Sequence, residues 1–190
     1  MKHTNLLLIV LLALFTINSR GQNISEKVDS VLNMMTLEEK IGQLNLISGE
    51  GELTGPVTED RNYVQQIKNG HLGAMLNVNG SEYTRKLQEI AVEETRLGIP
   101  LIFGYDVIHG YKTIFPVPLG ESATWNPRTI ERSSRIAAIE ATAAGQHWTF
   151  APMGDISRDA RWGRIMEGAG EDPYLGSEVA RARVRGFQGG

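Results

Sequence analysis

The sequence predicts an α/β fold, the N-terminal part of a (β/α)8 barrel of the TIM type, incomplete within these residues. Three observations lead there. Short, nearly continuous apolar runs alternate with longer segments of helical periodicity, the order that a parallel sheet covered by helices requires. No G-x-G-x-x-G opens a helix after a strand, because GAGEDP at 168–173 breaks that pattern at its last position, and no G-K-[ST] occurs; a doubly wound nucleotide-binding sheet is therefore disfavoured. Charged side chains gather directly behind the apolar runs, where barrels place their chemistry.

Each element follows from local signals. Thr36-Leu37-Glu38-Glu39 is a capping-box pattern, so a helix is expected to begin there, continue through KIGQLNLI and stop at the glycine-rich GEGELTGP. HLGAMLNV after Gly70 reads as a buried strand. SEYTRKLQEIAVEETRLG has apolar residues at helical spacing and Gly98 as its C-terminal signal. Pro100-Leu101-Ile102-Phe103 reads as a second strand. NPRTIERSSRIAAIEATAAG reads as a long helix with Asn126 as N-cap, Pro127 in the first turn and Gly145 at its end. WTFAPM is a third strand candidate and SEVARARVRGFQG a third helix. A barrel of this type takes about 250 residues, whereas the chain offers three or four units, so a truncated barrel is expected.

Composition narrows the partners. The 190 residues are 41% hydrophobic and 22% charged, with a formal net charge of -3 and no Lys/Arg block, which argues against a nucleic-acid partner. The chain has no cysteine, and so no disulfide, no thiolate metal site and no cysteine nucleophile. Residues 1–21 read as a secretory signal: a charged start, an apolar run over residues 6–17, and the small residues Ser19 and Gly21 before a cut ahead of Gln22. That run is shorter than the roughly 20 residues that span a bilayer, so an exported protein is expected, periplasmic or extracellular, with no stable membrane anchor after cleavage.

The residues behind the strands suggest a polar substrate. Asp106 directly follows the strand LIFGY, where an acid can accept hydrogen bonds from hydroxyls, though it can equally cap a turn or pair with an arginine. His109 can donate to a hydroxyl or shuttle a proton, and a lone histidine beside a glycine is commonly a supporting group. RDARWGRIMEGAGEDP follows the third strand candidate; arginine's planar fork suits adjacent hydroxyls, and Trp162 offers an apolar face to a sugar ring. A charge-rich loop can also be solvated surface. The carboxylates Asp106, Asp155, Asp159, Glu167, Glu171 and Asp172 are candidates for the pair that glycoside hydrolysis uses, but spacing in sequence does not give their separation. No histidine stands at metal-ligand spacing, so neither metal nor cofactor is expected.

Three segments, MTLEEKIGQL at 35–44, GIPLIFGYDVIHGYKTIFPVPLG at 98–120 and TFAPMGDISRDARWGRIMEGAGEDPYLG at 149–176, together resemble family 3 glycoside hydrolases, in particular the secreted bacterial β-glucosidases. The resemblance implies a retaining hydrolase whose N-terminal domain is a (β/α)8 barrel, so that residues 22–190 are the N-terminal portion of that barrel. It makes Asp106 the acid that grips sugar hydroxyls beside the scissile bond and Arg164 its companion. Glu167, Arg161 and Asp159 become supports that fix Arg164 by ion pairing, with His109 and Trp162 also supporting. The family's nucleophile, an aspartate of the form V-x-S-D, and its acid/base glutamate find no match before Gly190, so no catalytic residue is expected within this chain. SRDARWGR favours a glucosidase or xylosidase over the hexosaminidase branch. The implied parent enzyme is a β-glucosidase acting on terminal, non-reducing β-D-glucosyl residues, with a β-glucoside or oligosaccharide as substrate. The alternatives are a β-xylosidase or mixed exo-glycosidase and, from another class, a non-catalytic sugar-binding or interaction fragment.

Overall fold

The computed structural model describes residues 23–49 and 62–189, and the signal segment lies outside them. The described residues fall into two compact units divided between Thr36 and Leu37. The first holds helix α1 (Ile24–Met34), whose N-cap Asn23 accepts a hydrogen bond from the Ser25 amide. The second holds α2 (Leu37–Gln43), β1 (Leu46–Ser48), α3 (Tyr63–Lys68), β2 (Ala74–Leu76), α4 (Ser81–Glu93), β3 (Ile102–Tyr105), α5 (Pro118–Ser122), α6 (Pro127–Ala143), β4 (Trp148–Thr149), a 3-10 turn (Ile165–Glu167) and α7 (Pro173–Gln188).

The four strands form one sheet in the order β1-β2-β3-β4, every neighbouring pair parallel. Leu46 pairs with Ala74, Ala74 with Ile102, and Gly104 with Trp148. Chain order matches spatial order, so each strand is laid beside its predecessor and all carboxyl ends emerge on one side, as in the first half of a (β/α)8 barrel. The core under β1–β3 is Ile47, Ile67, Leu72, Met75, Val78, Leu87, Ala91, Leu101 and Phe103. Burying each of the larger side chains contributes about 1.5–3 kcal/mol. Gln88 on α4 donates from Nε2 to the Leu101 carbonyl (2.8 Å) and accepts from the Leu101 amide (2.7 Å), satisfying backbone just ahead of β3.

Several expectations need correction. The helix over KIGQLNLI stops at Gln43, and Leu46–Ser48 is strand β1. Non-local pairing wins there: the Asn45 carbonyl accepts from the Gly73 and Ala74 amides, and β1 gains a full ladder with β2 that a longer helix would forfeit. The third strand candidate, WTFAPM, shrinks to Trp148–Thr149. Pro152 has no N–H to give a ladder, and the chain leaves the sheet as an irregular segment that carries the charged cluster. Helices α2, α4 and α6 begin where their signals stand, but α4 ends at Glu93, short of Gly98, and the helix expected over SEVARARVRGFQG begins earlier, at Pro173. Asn126 caps α6 by accepting from the Thr129 amide, and Asp172 caps α7 by accepting from the Leu175 amide (2.6 Å).

Helices α6 and α7 pack closely, burying Ile130, Val179 and Ala182 together. Between them and α5 lies a buried ion pair: Arg183 on α7 donates to Glu121 on α5 from Nη2 (2.7 Å) and Nε (3.2 Å), and the Ser133 hydroxyl donates to the other Glu121 oxygen (2.6 Å). Gly186 makes the close approach possible, because a Cβ there would overlap the Glu131 carbonyl and Ser133's neighbour Ser134 on α6.

Candidate functional site

Strand β3 delivers the first polar group. Val107 turns inward to pack with Ala137 and Ala141, and its amide donates to the Tyr105 carbonyl and to the Thr149 hydroxyl (3.3 Å). Asp106, between Tyr105 and Val107, is half-buried and lines a cavity of about 780 Å³. It accepts no hydrogen bond among the described residues, so its carboxylate is available to a ligand. Burial pushes its pKa up, the Glu167 carboxylate pushes the same way, and the Arg164 guanidinium opposes both.

The loop that follows, residues 107–117, is a tight hairpin. Gly110 bridges Ile114 in antiparallel fashion, the Phe115 amide donates to the His109 carbonyl (2.8 Å), and His109 Nδ1 lies 3.1 Å from the Phe115 carbonyl. A carbonyl only accepts, so Nδ1 carries the proton in this contact. Gly110 has a φ of 116°, and a Cβ there would overlap the Thr113 carbonyl, so this turn requires glycine. Ile108, His109 and Val117 from this loop line the same cavity as Asp106.

The second set of groups comes from the segment beyond β4. Arg164 donates from Nε to Glu167 Oε1 (2.9 Å) and from Nη2 to Oε2 (2.6 Å), a two-pronged pair across one 3-10 turn. Those bonds hold the Glu167 carboxyl below the usual range, and Arg164 is held more firmly protonated by Glu167 first and by Asp106 and Asp155 at longer range. Arg164 and Glu167 both line the cavity, with Gly163 and Met166. The cavity thus brings together the polar side chains Asp106, His109, Arg164 and Glu167 and apolar ones that include Ile108, Val117, Phe150 and Met166.

Other residues singled out in the sequence stand elsewhere. Asp159 and Arg161 pair with each other across two residues, Arg161 Nε to Asp159 Oδ1 at 2.9 Å, and not with Arg164; the Arg161 side chain is 90% exposed. This turn closes on itself because the Arg161 amide also donates to Asp159 Oδ1 (2.9 Å), so the short link satisfies both charges locally. Trp162 is half-buried and does not line the cavity. Asp172 is spent on the α7 cap. His147 is structural: its Nδ1 accepts from the Phe103 amide (3.2 Å) and its ring stacks on Phe103. The apolar cavity residues Ile108, Val117 and Met166 escaped notice in the sequence; their adjacency to His109, Pro118 and Glu167 was the available signal. Among the described residues no cluster of three His, Asp or Glu side chains is arranged for a metal ion, and no helix is long and apolar enough to cross a membrane.

Comparison with known proteins places this geometry. The family described as glycosyl hydrolase family 3 N terminal domain matches residues 36–190. A periplasmic beta-glucosidase of Salmonella typhimurium is 42% identical over 162 residues, covering 85% of this chain and 20% of that protein. A periplasmic beta-glucosidase/beta-xylosidase of Dickeya chrysanthemi is 29% identical over 189 residues, covering 87% of this chain and 29% of its own length. The beta-glucosidase of Listeria innocua, solved in complex with isofagomine, superposes with a TM-score of 0.78 at 44% identity over 86% of this chain and 23% of that one. The chain thus spans about a fifth to a third of the length of these relatives.

Proposed function

The chain belongs to glycosyl hydrolase family 3, within its N-terminal domain, and we propose that it forms the sugar-gripping part of a longer, exported, retaining β-glucosidase. The observation that carries this reading is the meeting of Asp106, from the end of β3, with the Arg164–Glu167 pair, from beyond β4, in one cavity. Glu167 engages Nε and Nη2 of Arg164 and leaves Nη1 for a ligand, while Asp106 stands free as a charged acceptor. A cation that donates and an anion that accepts, side by side, suit the vicinal hydroxyls of a pyranose, each of which is donor and acceptor at once. Charged hydrogen bonds of this kind contribute about 1.5–3 kcal/mol each.

In this reading Asp106 and Arg164 hold the non-reducing sugar, and Glu167 keeps the guanidinium plane fixed. His109, with Nδ1 tied to a carbonyl, has Nε2 left for a further hydrogen bond to the sugar. Apolar side chains of the lining, Ile108 and Met166 among them, cover the C–H faces of the ring. The two carboxylates of the retaining mechanism, one forming and releasing a glycosyl ester and one exchanging the proton of the leaving oxygen, come from residues outside this chain. The relatives include proteins named as glucosidases and as glucosidase/xylosidases, so a β-xyloside is the second substrate to test.

Expression of the full-length gene product with its native leader tests the proposal. Release of the aryl group from aryl β-glucosides, at a higher kcat/KM than from β-xylosides, is expected in the exported fraction, with a mature N-terminus at Gln22. Hydrolysis of neither substrate would refute the enzyme reading, and an uncut leader would refute the proposed signal.

A further inference from the structure

We propose that Glu140, on α6 and outside the cavity, is a positioning residue: its carboxylate clamps the tip of the 107–117 loop and thereby sets where His109 stands in the cavity wall. The inference rests on the sugar-binding reading of that cavity. Its basis is a set of three hydrogen bonds. Glu140 Oε2 accepts from the Lys112 and Thr113 amides, both at 2.8 Å, and Oε1 accepts from the Thr113 hydroxyl at 2.6 Å. Two successive amides and a hydroxyl converging on one carboxylate satisfy backbone donors at a tip whose residues Lys112, Thr113 and Ile114 are all exposed. Charge-assisted bonds of this type are the strong ones.

The mechanics follow from how the loop is built. Its cross-links, Gly110 to Ile114 and His109 to Phe115, make the hairpin stiff between tip and His109. A shift of Thr113 is therefore carried back to His109 and is not absorbed between them. Helix α6 holds this hairpin at two points, since Ala137 and Ala141 pack on Val107 at its root and Glu140, between them in the helix, binds the tip. A third hold comes from Tyr111, whose hydroxyl donates to Asn79 Oδ1 (3.3 Å) and whose ring meets Tyr105 edge-on. The carboxylate of Glu140 does not line the cavity, so any effect it has on a ligand travels through the loop. The same bonds, the Thr113 hydroxyl foremost, keep Glu140 ionised below the usual carboxylate range.

A double-mutant cycle in the full-length protein tests the role, with aryl β-glucoside as substrate. Glu140→Ala is expected to lower kcat/KM by about tenfold, mostly through KM, while in a His109→Ala background the same change costs less than about threefold, because the group being placed is gone. Additive losses would show that Glu140 acts through general stability and would overturn the proposal. If the wild-type protein hydrolyses neither β-glucosides nor β-xylosides, the functional reading falls, and amide exchange still decides the clamp. At least about tenfold faster exchange at Lys112 and Thr113 in Glu140→Ala upholds it, and unchanged exchange overturns it.

Discussion

Half-buried at the end of β3 and facing Glu167, the Asp106 carboxyl gives up its proton less readily than an exposed aspartate does. Its ordinary value is about 3.9, and the folded value lies above that, so between the two the folded state holds the extra proton. Ionised Asp106 therefore subtracts from stability at neutral pH, the reverse of the usual carboxylate. Asp106→Asn should leave Tm equal or higher while lowering kcat/KM by well over tenfold, and it should remove an acidic limb of the pH profile that begins above the ordinary aspartate range. A fall in Tm, or activity near wild type, would contradict the account. Glu167 has the opposite sign: its depressed value adds stability above an ordinary glutamate pKa of about 4.3 that is lost as pH falls through the folded value. The Arg164–Glu167 pair was partly legible, since three residues in one turn bring side chains together. The pairing of Asp159 with Arg161 was not, because a turn's closure decides whether a charge is satisfied locally or reaches across a cleft. Glu140 lies 27 residues from Thr113, and no local pattern links them.

Among the elements, α5, α6 and α7 are tied by the buried Glu121–Arg183 pair, with side chains 7% and 4% exposed. Arg183 Nη1 and Ser134 Oγ find no partner among the described residues, so the arrangement already carries a cost. Arg183→Met alone leaves a buried carboxylate unpaired and is expected to destabilise by about 3–5 kcal/mol, whereas Glu121→Leu combined with Arg183→Met should return most of that loss. Denaturant unfolding of the full-length protein measures both, and equal destabilisation by the single and double variants would refute the argument. The start of α6 was readable because caps act within four residues and Asn126 stands there, whereas α7 begins at Pro173, ahead of the expected SEVARARVRGFQG, on an Asp172 cap that the sequence offers only as a candidate carboxylate. The end of α2 and the start of β1 were not, since LNLI has helical and strand patterns alike, and the Asn45 carbonyl's partners lie in the 73–74 segment. Helix α3 carried too short an apolar pattern to stand out.

At the scale of the molecule, the described sheet has β1 and β4 as its outer strands, and large apolar side chains stand exposed beside them: Leu46 at 37%, Trp148 at 45% and Phe150 at 39%. Ile102 on β3 is 49% exposed as well. Parallel strands buried on both faces are the rule in α/β proteins, and unpaired edges with apolar flanks template association. Residues 22–190 expressed alone should therefore self-associate, sedimenting as species larger than a monomer and binding a hydrophobic dye. A monodisperse, dye-silent preparation of residues 22–190 would contradict this.

The sequence by itself determined the parallel α/β class, the starts of α2, α4 and α6, the family, and the two rim segments in which Asp106 and Arg164 lie. These depend on periodicity, caps and motifs, all of which act over a few residues. Only the tertiary structure decided that 46–48 joins the sheet, that Arg164 pairs with Glu167 while Arg161 turns to Asp159, and that Glu140 grips the loop bearing His109. Each of those outcomes is a competition between local and distant partners for the same polar group. Such competitions are settled by which groups packing brings within about 3 Å, a distance that separation along the chain does not encode.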